Sequence, residues 1–129
     1  MKKSLSKTER LKSRKQIDKL FKEGQRLNVP LLRAFYMIKP FADDDKSVRL
    51  QFGIGAGSRS FKRAVDRNRI KRLGREAWRL QKEPFFLQLE ELNKALNVFI
   101  IYIGKELPDY QQMYASVAEV IKKLGGKLK

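Results

Sequence analysis

The clearest chemistry in this sequence belongs to guanidinium groups in a proline-free segment from residue 62 to residue 82. With 3.6 residues per helical turn, one face of this segment carries Asn68, Arg72, Arg75 and Arg79. Guanidinium groups stay charged and bind phosphate through paired hydrogen bonds. Because Asp66 and Glu76 are the only acids within residues 52–79, self-pairing cannot neutralise this face. The pattern favours a phosphate-binding surface over an ordinary solvated helix face.

Several common catalytic centres are excluded by residue type. The chain contains no cysteine and no histidine, which excludes thiol nucleophiles, imidazole bases, disulfide scaffolds and zinc sites built from those residues. Carboxylates remain, but Asp43, Asp44 and Asp45 form a turn-like cluster, and Glu90 and Glu91 fit a solvated face. We therefore expect no catalytic residue and no metal site in the protein itself. A metal-dependent nuclease acting alone is the least favoured class.

Length, charge and composition describe one folded, very basic domain. The 129 residues include 30 Lys and Arg against 14 Asp and Glu, a formal charge of +16, and 42% are hydrophobic. That apolar fraction is too high for a disordered chain, and the length suits a single core. Basic residues concentrate in residues 2–33 and 59–82. Nucleic acid is therefore the expected partner.

A membrane surface is the main rival partner. Surface binding requires an amphipathic helix with a free apolar face, whereas the apolar faces here are expected to pack into the core. The longest strongly apolar run, Val98–Ile103, is far shorter than the roughly 20 residues of a membrane helix. No apolar region follows the N-terminal charges, as it would in a secretory signal. We expect no membrane partner and a cytoplasmic location.

The first half of the chain predicts one helix and then strands. Ser13 and Gln16 match a capping box, and Gly24 is a natural stop, so a helix is expected over 14–23. A short extended piece over 26–29 leads to Pro30. Alternating residues then predict strands over 32–39 and 48–56, which we expect to pair with each other as a hairpin.

The second half predicts a helix, a buried strand and a last helix. The core side of the helix over 62–82 is expected to carry Ile70, Leu73, Gly74, Ala77 and Gln81. Pro84 is expected to end this helix, with a further short helix possible over 85–92. The continuous apolar run 95–103 predicts a central strand buried on both faces. Asp109 and Gln112 match an N-cap for a last helix that reaches Gly125.

These elements predict an α+β fold. The order is α-β-β-β-α-β-α, without an internal repeat or a linker, so we expect a single-domain sandwich of a mixed sheet packed by helices. The domain spans residues 1–129, with a basic N-terminal tail at about residues 1–10. Gly74 costs the helix about 1 kcal/mol relative to alanine. Close approach of a strand or of the last helix would explain it.

The arginine-rich helix also resembles a known family. The string Ala64-Val65-Asp66-Arg67-Asn68-Arg69-Ile70-Lys71-Arg72-Leu73, followed by Arg75-Glu76-Ala77, is similar to the RNR signature of the bacterial ribonuclease P protein subunit. The chain length agrees with this family. So do four further segments, Arg10-Leu11-Lys12, Leu20-Phe21-Lys22-Glu23-Gly24, Phe52-Gly53 and Ile101-Tyr102-Ile103.

This resemblance implies an accessory protein. The catalytic component of the family is an RNA, which removes the 5′ leader from precursor tRNA with magnesium ions (Mg2+), so the expected partners are that RNA and precursor tRNA, with no small-molecule substrate. The protein would then be the accessory subunit of an endoribonuclease ribonucleoprotein. The resemblance also implies a left-handed βαβ crossover at the RNR helix, against the usual right-handed rule. The alternative is a non-enzymatic RNA-binding protein of ribosomal type.

The resemblance places the contacts with the catalytic RNA on the RNR helix and its loop. By position they are Arg67, Asn68, Arg69, Lys71, Arg72 and Arg75. The helix-face pattern adds Arg79. Relatives commonly carry a pair of basic residues where this chain has Gly57-Ser58, so Arg59 and Lys62 are expected to supply the charge of the loop.

The resemblance further implies a cleft for the single-stranded leader, between the first helix and the sheet. Its apolar lining is expected to comprise Ile17 and Phe21, with Phe35 or Tyr36. Many relatives have phenylalanine in place of Ile17, so only apolar contact is expected there. Aromatic rings stack on bases while cations follow the phosphates, a role expected for Lys15, Lys19 and Arg33. Core and cleft roles are equally open for Phe21, and the cleft is favoured for Phe35.

Overall fold

The computed structural model describes residues 10–11, 13–41, 49–57 and 60–128. The elements follow the predicted order. They are α1 (Arg14–Glu23), β1 (Gln25–Val29), β2 (Leu32–Pro40), β3 (Leu50–Ala56), α2 (Ala64–Leu92), β4 (Lys94–Tyr102) and α3 (Tyr110–Leu128). The α+β class is confirmed. No helix in these ranges is long and apolar enough to cross a membrane.

Local caps set the bounds of α1. The backbone N–H of Gln16 donates to Ser13 Oγ at 3.4 Å, and the N–H of Gly24 donates to the carbonyl of Leu20 at 2.9 Å. Each bond satisfies a backbone or side-chain group at the helix end. The helix therefore begins and ends where the sequence predicts.

The last helix begins as predicted and ends later. The N–H of Gln112 donates to Asp109 Oδ1 at 2.8 Å, and Gln112 Oε1 accepts from the N–H of Asp109 at 3.1 Å, which is a capping box. The predicted end near Gly125 is wrong, because α3 continues to Leu128. Leu128 is buried in the core, and its packing holds the last turn.

The sheet has the strand order β1-β2-β4-β3. β4 pairs antiparallel with β2 and parallel with β3, so the predicted hairpin of β2 with β3 is wrong. The prediction of a central, buried β4 is confirmed. Because β4 is apolar on both faces, the position between two strands buries it best. β3, α2 and β4 thus form a parallel crossover, whose left-handedness remains a prediction of the resemblance.

Helices cover both faces of the sheet. On one face, α2 and α3 pack on alternate residues of the strands, including Tyr36, Phe52 and Val98. On the other face, α1 packs through Leu20 on a smaller cluster that includes Phe35 and the partly buried Phe99. Because successive side chains of a strand point to opposite faces, alternate side chains contribute to the large core and to the cluster under α1.

α2 runs without a break through Pro84, so the predicted end at this residue is wrong. A proline removes the hydrogen bond to the carbonyl four residues earlier, that of Leu80, at a cost of about 3 kcal/mol. Both residues are exposed, so water can satisfy that carbonyl. Phe85 and Leu89 are buried in the core beyond the proline, and their packing keeps the helix continuous.

Gly74 marks the contact between α2 and β3. A methyl group at Gly74 would overlap Cδ1 of Ile54. One turn later, the ring of Trp78 stacks on Phe52 with centroids 4.4 Å apart and an angle of 11° between the planes. The expected close approach to Gly74 is therefore made by a strand, β3.

Candidate nucleic-acid interface

The outer face of α2 presents the predicted basic residues to solvent. Ile70, Gly74 and Ala77 are buried against the rest of the protein, which confirms the predicted core side, while Leu73 and Gln81 are half-buried. Four of the predicted RNA contacts on α2 are exposed, namely Asn68, Arg69, Arg72 and Arg75. Lys71 is half-buried, and Lys62 is exposed in the preceding loop. Arg59 lies outside the described residues.

Arg79 differs from the other arginines of this face because it is held by an acid. Its Nε donates to Glu76 Oε2 at 3.1 Å, and its Nη2 contacts the second carboxylate oxygen. The hydrogen bond lowers the pKa of Glu76 and raises the pKa of Arg79. Glu76 therefore compensates a charge that the sequence pattern counted as free for phosphate.

Arg67 also has a partner, in the loop before α2. Its Nη1 donates to the carbonyl of Phe61 at 2.7 Å and to the carbonyl of Lys62 at 2.8 Å. Phe61 is buried and packs on Tyr102, with ring centroids 5.8 Å apart. The N-cap residue Arg63 makes no side-chain capping bond. Arg67 thus ties the loop to the first turn of α2.

An aromatic cluster lies between α1 and the sheet. Phe21 is 41% exposed, and its ring lies at 65° to that of Phe35, with centroids 4.8 Å apart. It also contacts Phe99 at 5.7 Å and 78°. Ile17 is half-buried against the same cluster. Phe21 therefore packs on the cluster and remains partly exposed, so its packing role is observed and its leader-binding role stays a prediction.

Of Phe35 and Tyr36, only Phe35 lies on the cleft side. Tyr36 is 1% exposed and belongs to the large core under α2 and α3, so its predicted place in the cleft is wrong. Successive residues of a strand point to opposite faces, and α1 covers the face of Phe35. At 8% exposure, Phe35 forms the floor beneath Phe21.

Sequence reasoning missed Phe99. It lies on β4 directly opposite Phe35 of β2, and this pairing follows from the strand order that the sequence did not predict. Across the sheet, a Cβ at Gly53 of β3 would lie 2.6 Å from Cδ2 of Phe99. The glycine leaves room for the ring. A glycine in a strand is the signal that could have indicated a close neighbour.

Polar groups surround the aromatic cluster. Lys15, Lys19 and Arg33 are exposed, and Arg33 Nε donates to Asn28 Oδ1 at 3.3 Å. A small cavity of about 140 Å³ between α1 and the sheet is lined by Gln16, Lys19, Leu20, Met37, Lys39 and Asn97. Cations, amides and one exposed ring thus lie together along the cleft.

Acidic residues do not converge in the described part of the chain. Within it, no group of three or more Asp and Glu residues is arranged to hold a metal ion. At both surfaces, guanidinium, ammonium, amide and phenyl groups can bind anions and aromatic rings.

Comparisons with known proteins relate the whole chain to one family. Residues 5–125 match the model of the Ribonuclease P family. The ribonuclease P protein component of Porphyromonas gingivalis is 31% identical over 124 residues, covering 96% of this chain and 88% of that protein. That of Chlorobium phaeobacteroides is 28% identical over 125 residues, covering 92% and 86%. The fold is similar to that of the Staphylococcus aureus RNase P protein, with a TM-score of 0.66, 19% identity, and coverage of 90% of this chain and 94% of that one.

Proposed function

Since the chain belongs to the ribonuclease P protein family, we propose that it assists a catalytic RNA by binding that RNA with α2 and the precursor tRNA leader with the cleft under α1. Family membership makes the ribonuclease P RNA its partner. Two distinct surfaces, a cationic helix face and an exposed aromatic ring, lie on opposite sides of one sheet. This placement is the observation that supports separate binding of the catalytic RNA and of the leader.

The face of α2 suits the RNA backbone. Asn68, Arg69 and Arg72 project from a helix anchored by a buried core side, so their backbone positions are set before RNA arrives. Each planar guanidinium group can then donate two hydrogen bonds to one phosphate. Arg67 holds the preceding loop against the start of α2 by donating hydrogen bonds to the carbonyls of Phe61 and Lys62. Such binding releases counterions and weakens steeply with salt.

The cleft suits a single strand. The exposed part of Phe21 can stack on an unpaired base, while Lys15, Lys19 and Arg33 donate hydrogen bonds to the phosphates on either side. Stacking tolerates any base, which fits a leader whose sequence varies between precursor tRNAs. Mature tRNA lacks the leader, so the cleft distinguishes substrate from product.

The RNA performs the cleavage in this proposal, and magnesium belongs to the RNA. The chain has no cysteine or histidine, and among its described residues no group of three or more acids is placed to hold a metal ion. The protein's part is to hold two RNAs in one complex, which we place in the cytoplasm.

Reconstitution tests the proposal. The purified chain is added to a bacterial ribonuclease P RNA and precursor tRNA at a magnesium concentration too low for the RNA alone. We expect cleavage at the mature 5′ end only when protein and RNA are both present. Cleavage by RNA-free protein, or no stimulation of the RNA, would overturn it. The second outcome would favour a ribosomal-type RNA-binding protein.

A further inference from the structure

The C-terminal half of α2 exposes an apolar stripe. Leu80 is 45% exposed and Leu87 is 56% exposed, and Pro84 between them is exposed as well. Residues spaced by three and four positions lie above one another on one face of a helix, so the three side chains are neighbours. Single exposed leucines are common in soluble proteins, whereas contiguous apolar patches mark sites of interaction.

A groove adjoins this stripe where α2 meets α3. Its volume is about 370 Å³, and it is lined by Pro84, Phe85, Gln88, Ile121, Lys122, Gly125 and Gly126. Gln88 Nε2 donates to the carbonyl of Gly125 at 3.2 Å and so joins the two helices. A Cβ at Gly126 would meet no atom within 4 Å, which leaves the groove open on the side of α3. The stripe and the groove form one largely apolar surface, the α2–α3 face.

Glutamates border this face on the side away from the groove. Glu83 and Glu90 are exposed, and the helical period places both beside Leu87. Glu91, also exposed, lies in line with the stripe one turn beyond Leu87. The segment 83–92 carries three glutamates and no lysine or arginine, in a chain whose formal charge is +16. The α2–α3 face is therefore bordered by negative charge on a strongly basic protein.

Glu90 and Glu91 lie where they do not favour the helix. The negative end of the helix dipole is at the last turn of α2, which prefers cations, and no basic residue belongs to that turn. Arg49 donates to the carbonyls of Leu89 and Lys94 at 3.3 and 3.1 Å. Neither glutamate forms an ion pair with any residue that the structure describes. Folding does not explain these two charges, whereas a cationic partner would.

We propose that the α2–α3 face docks an amphipathic helix of a protein partner, with apolar residues on the stripe and lysine or arginine beside the glutamates. Helices dock in apolar grooves through residues at i, i+3, i+4 and i+7, and Leu80, Pro84 and Leu87 have the matching spacing. The glutamates attract cations and repel RNA and anionic lipid. Lys122, on the α3 side of the groove, would pair with an acid of the partner and set its direction.

A second copy of the chain fits this face less well. In a symmetric pair the same patch meets itself, so glutamates would face glutamates. In an asymmetric pair the face would cover the basic face of a neighbouring α2, which RNA occupies in the proposed function. A different protein avoids both conflicts. Since a helix rises 1.5 Å per residue, Leu87 lies roughly 22 Å from Arg72 along α2, so the partner and RNA can bind together.

The test uses a fluorescein-labelled peptide of leucine and lysine, designed as an amphipathic helix of about four turns. Its binding to the full-length protein is measured by fluorescence anisotropy, beside a peptide in which glutamate replaces every lysine. The formal charge of +16 repels the lysine peptide from most of the surface, so any binding of it must be local. We expect the lysine peptide to bind, and to bind more weakly as salt is raised.

A leucine variant tests the apolar stripe. Leu87→Ser should weaken binding of the lysine peptide about tenfold, because one leucine no longer becomes buried on docking. Leu107→Ser is the matched control, since Leu107 is 43% exposed in the loop before α3, and it should bind as the unmodified chain does. Both variants should keep the melting temperature, because both leucines are largely exposed.

A glutamate variant tests the charged border. Glu90→Gln with Glu91→Gln should weaken binding about three- to tenfold, as expected for two exposed ion pairs, and this difference should vanish at high salt. Glu23→Gln with Glu106→Gln removes two exposed acids elsewhere and should have no effect. The melting temperature of the first variant should stay equal or rise, because acids leave the end of a helix. A lower melting temperature would make the glutamates structural and overturn their role.

The remaining outcomes separate this face from RNA binding and from self-association. No binding of the lysine peptide, or equal losses in the controls, would overturn the proposal. Weaker binding of a bacterial ribonuclease P RNA by Leu87→Ser would assign the stripe to the RNA surface instead. A dimer in sedimentation that Leu87→Ser abolishes would make a second copy the occupant. If Leu87→Ser loses only the peptide, the docking face stands whether or not α2 binds RNA as proposed.

Discussion

The ring of Phe21 covers the ring of Phe35, edge to face, with centroids 4.8 Å apart. The contact joins α1 to β2 and leaves the two residues with different exposure, 41% for Phe21 and 8% for Phe35. A base entering the cleft therefore meets Phe21 first. Phe35 supports Phe21 from beneath, so the two rings have separable roles in leader binding and in stability.

Replacing Phe21 should reduce leader binding. We expect Phe21→Ala to lower affinity for precursor tRNA by about 1 to 3 kcal/mol, the contribution of one stacked base, and to spare mature tRNA. Binding assays of both tRNAs to the reconstituted complex measure this. Tyr114→Ala is the matched control, because Tyr114 is an aromatic of similar exposure on α3. An equal loss for both tRNAs would remove Phe21 from the leader site.

Replacing Phe35 should mainly reduce the stability of the fold. The side chain is almost completely buried among Leu11, Leu20 and Phe99, so Phe35→Ala should cost about 3 to 5 kcal/mol of unfolding free energy. Denaturant unfolding measures the loss. Phe35→Leu keeps most of the volume and should cost much less. Unchanged stability of Phe35→Ala would show that the ring is not part of the packed cluster.

Arg72 should act through its charge alone. It is exposed on the face of α2 opposite the core, so Arg72→Ala should leave the melting temperature unchanged. The log-log salt slope of RNA binding should become less steep by about 0.7 to 0.9. Filter binding over several salt concentrations provides the slope. An unchanged slope would make Arg72 a solvated residue without a phosphate contact.

Arg67 should act through geometry as well as charge. Arg67→Lys keeps the positive charge, but the shorter lysine side chain does not bring its nitrogen to the place from which Arg67 Nη1 donates to the carbonyls of Phe61 and Lys62. We expect a stability loss of about 1 to 2 kcal/mol and weaker RNA binding with an unchanged salt slope. Arg69→Lys, at an exposed neighbour, serves as the control and should keep its stability. Full stability of Arg67→Lys would contradict the role of Arg67 in the loop.

Gly74→Ala should force the side chain of Ile54 to move. A methyl group at Gly74 would overlap Ile54 Cδ1, so overpacking should offset the gain in helix propensity and leave a net loss of up to about 2 kcal/mol. Ile54→Val removes Cδ1 and should restore part of the loss in the double variant. Thermal unfolding of the two single variants and the double variant measures this coupling. Additive losses would mean that another contact excludes the methyl group.

The sequence by itself determined the features that depend on neighbours along the chain. The bounds of α1 follow from Ser13 and Gly24, because capping bonds join residues at most four apart. The two-sided character of α2 follows from a regular helical period. The central place of β4 also followed, since a strand that is apolar on both faces must be covered on both.

Only the tertiary structure decided which distant segments meet. β4 lies between β2 and β3, and this order brings Phe99 opposite Phe35 and assigns Tyr36 to the core. The packing of Phe85 and Leu89 carries α2 through Pro84. The partners of Arg67 and Arg79 depend on side-chain orientation within the folded chain. Contacts of this kind join residues far apart in sequence or choose among many side-chain conformations, so no local pattern encodes them.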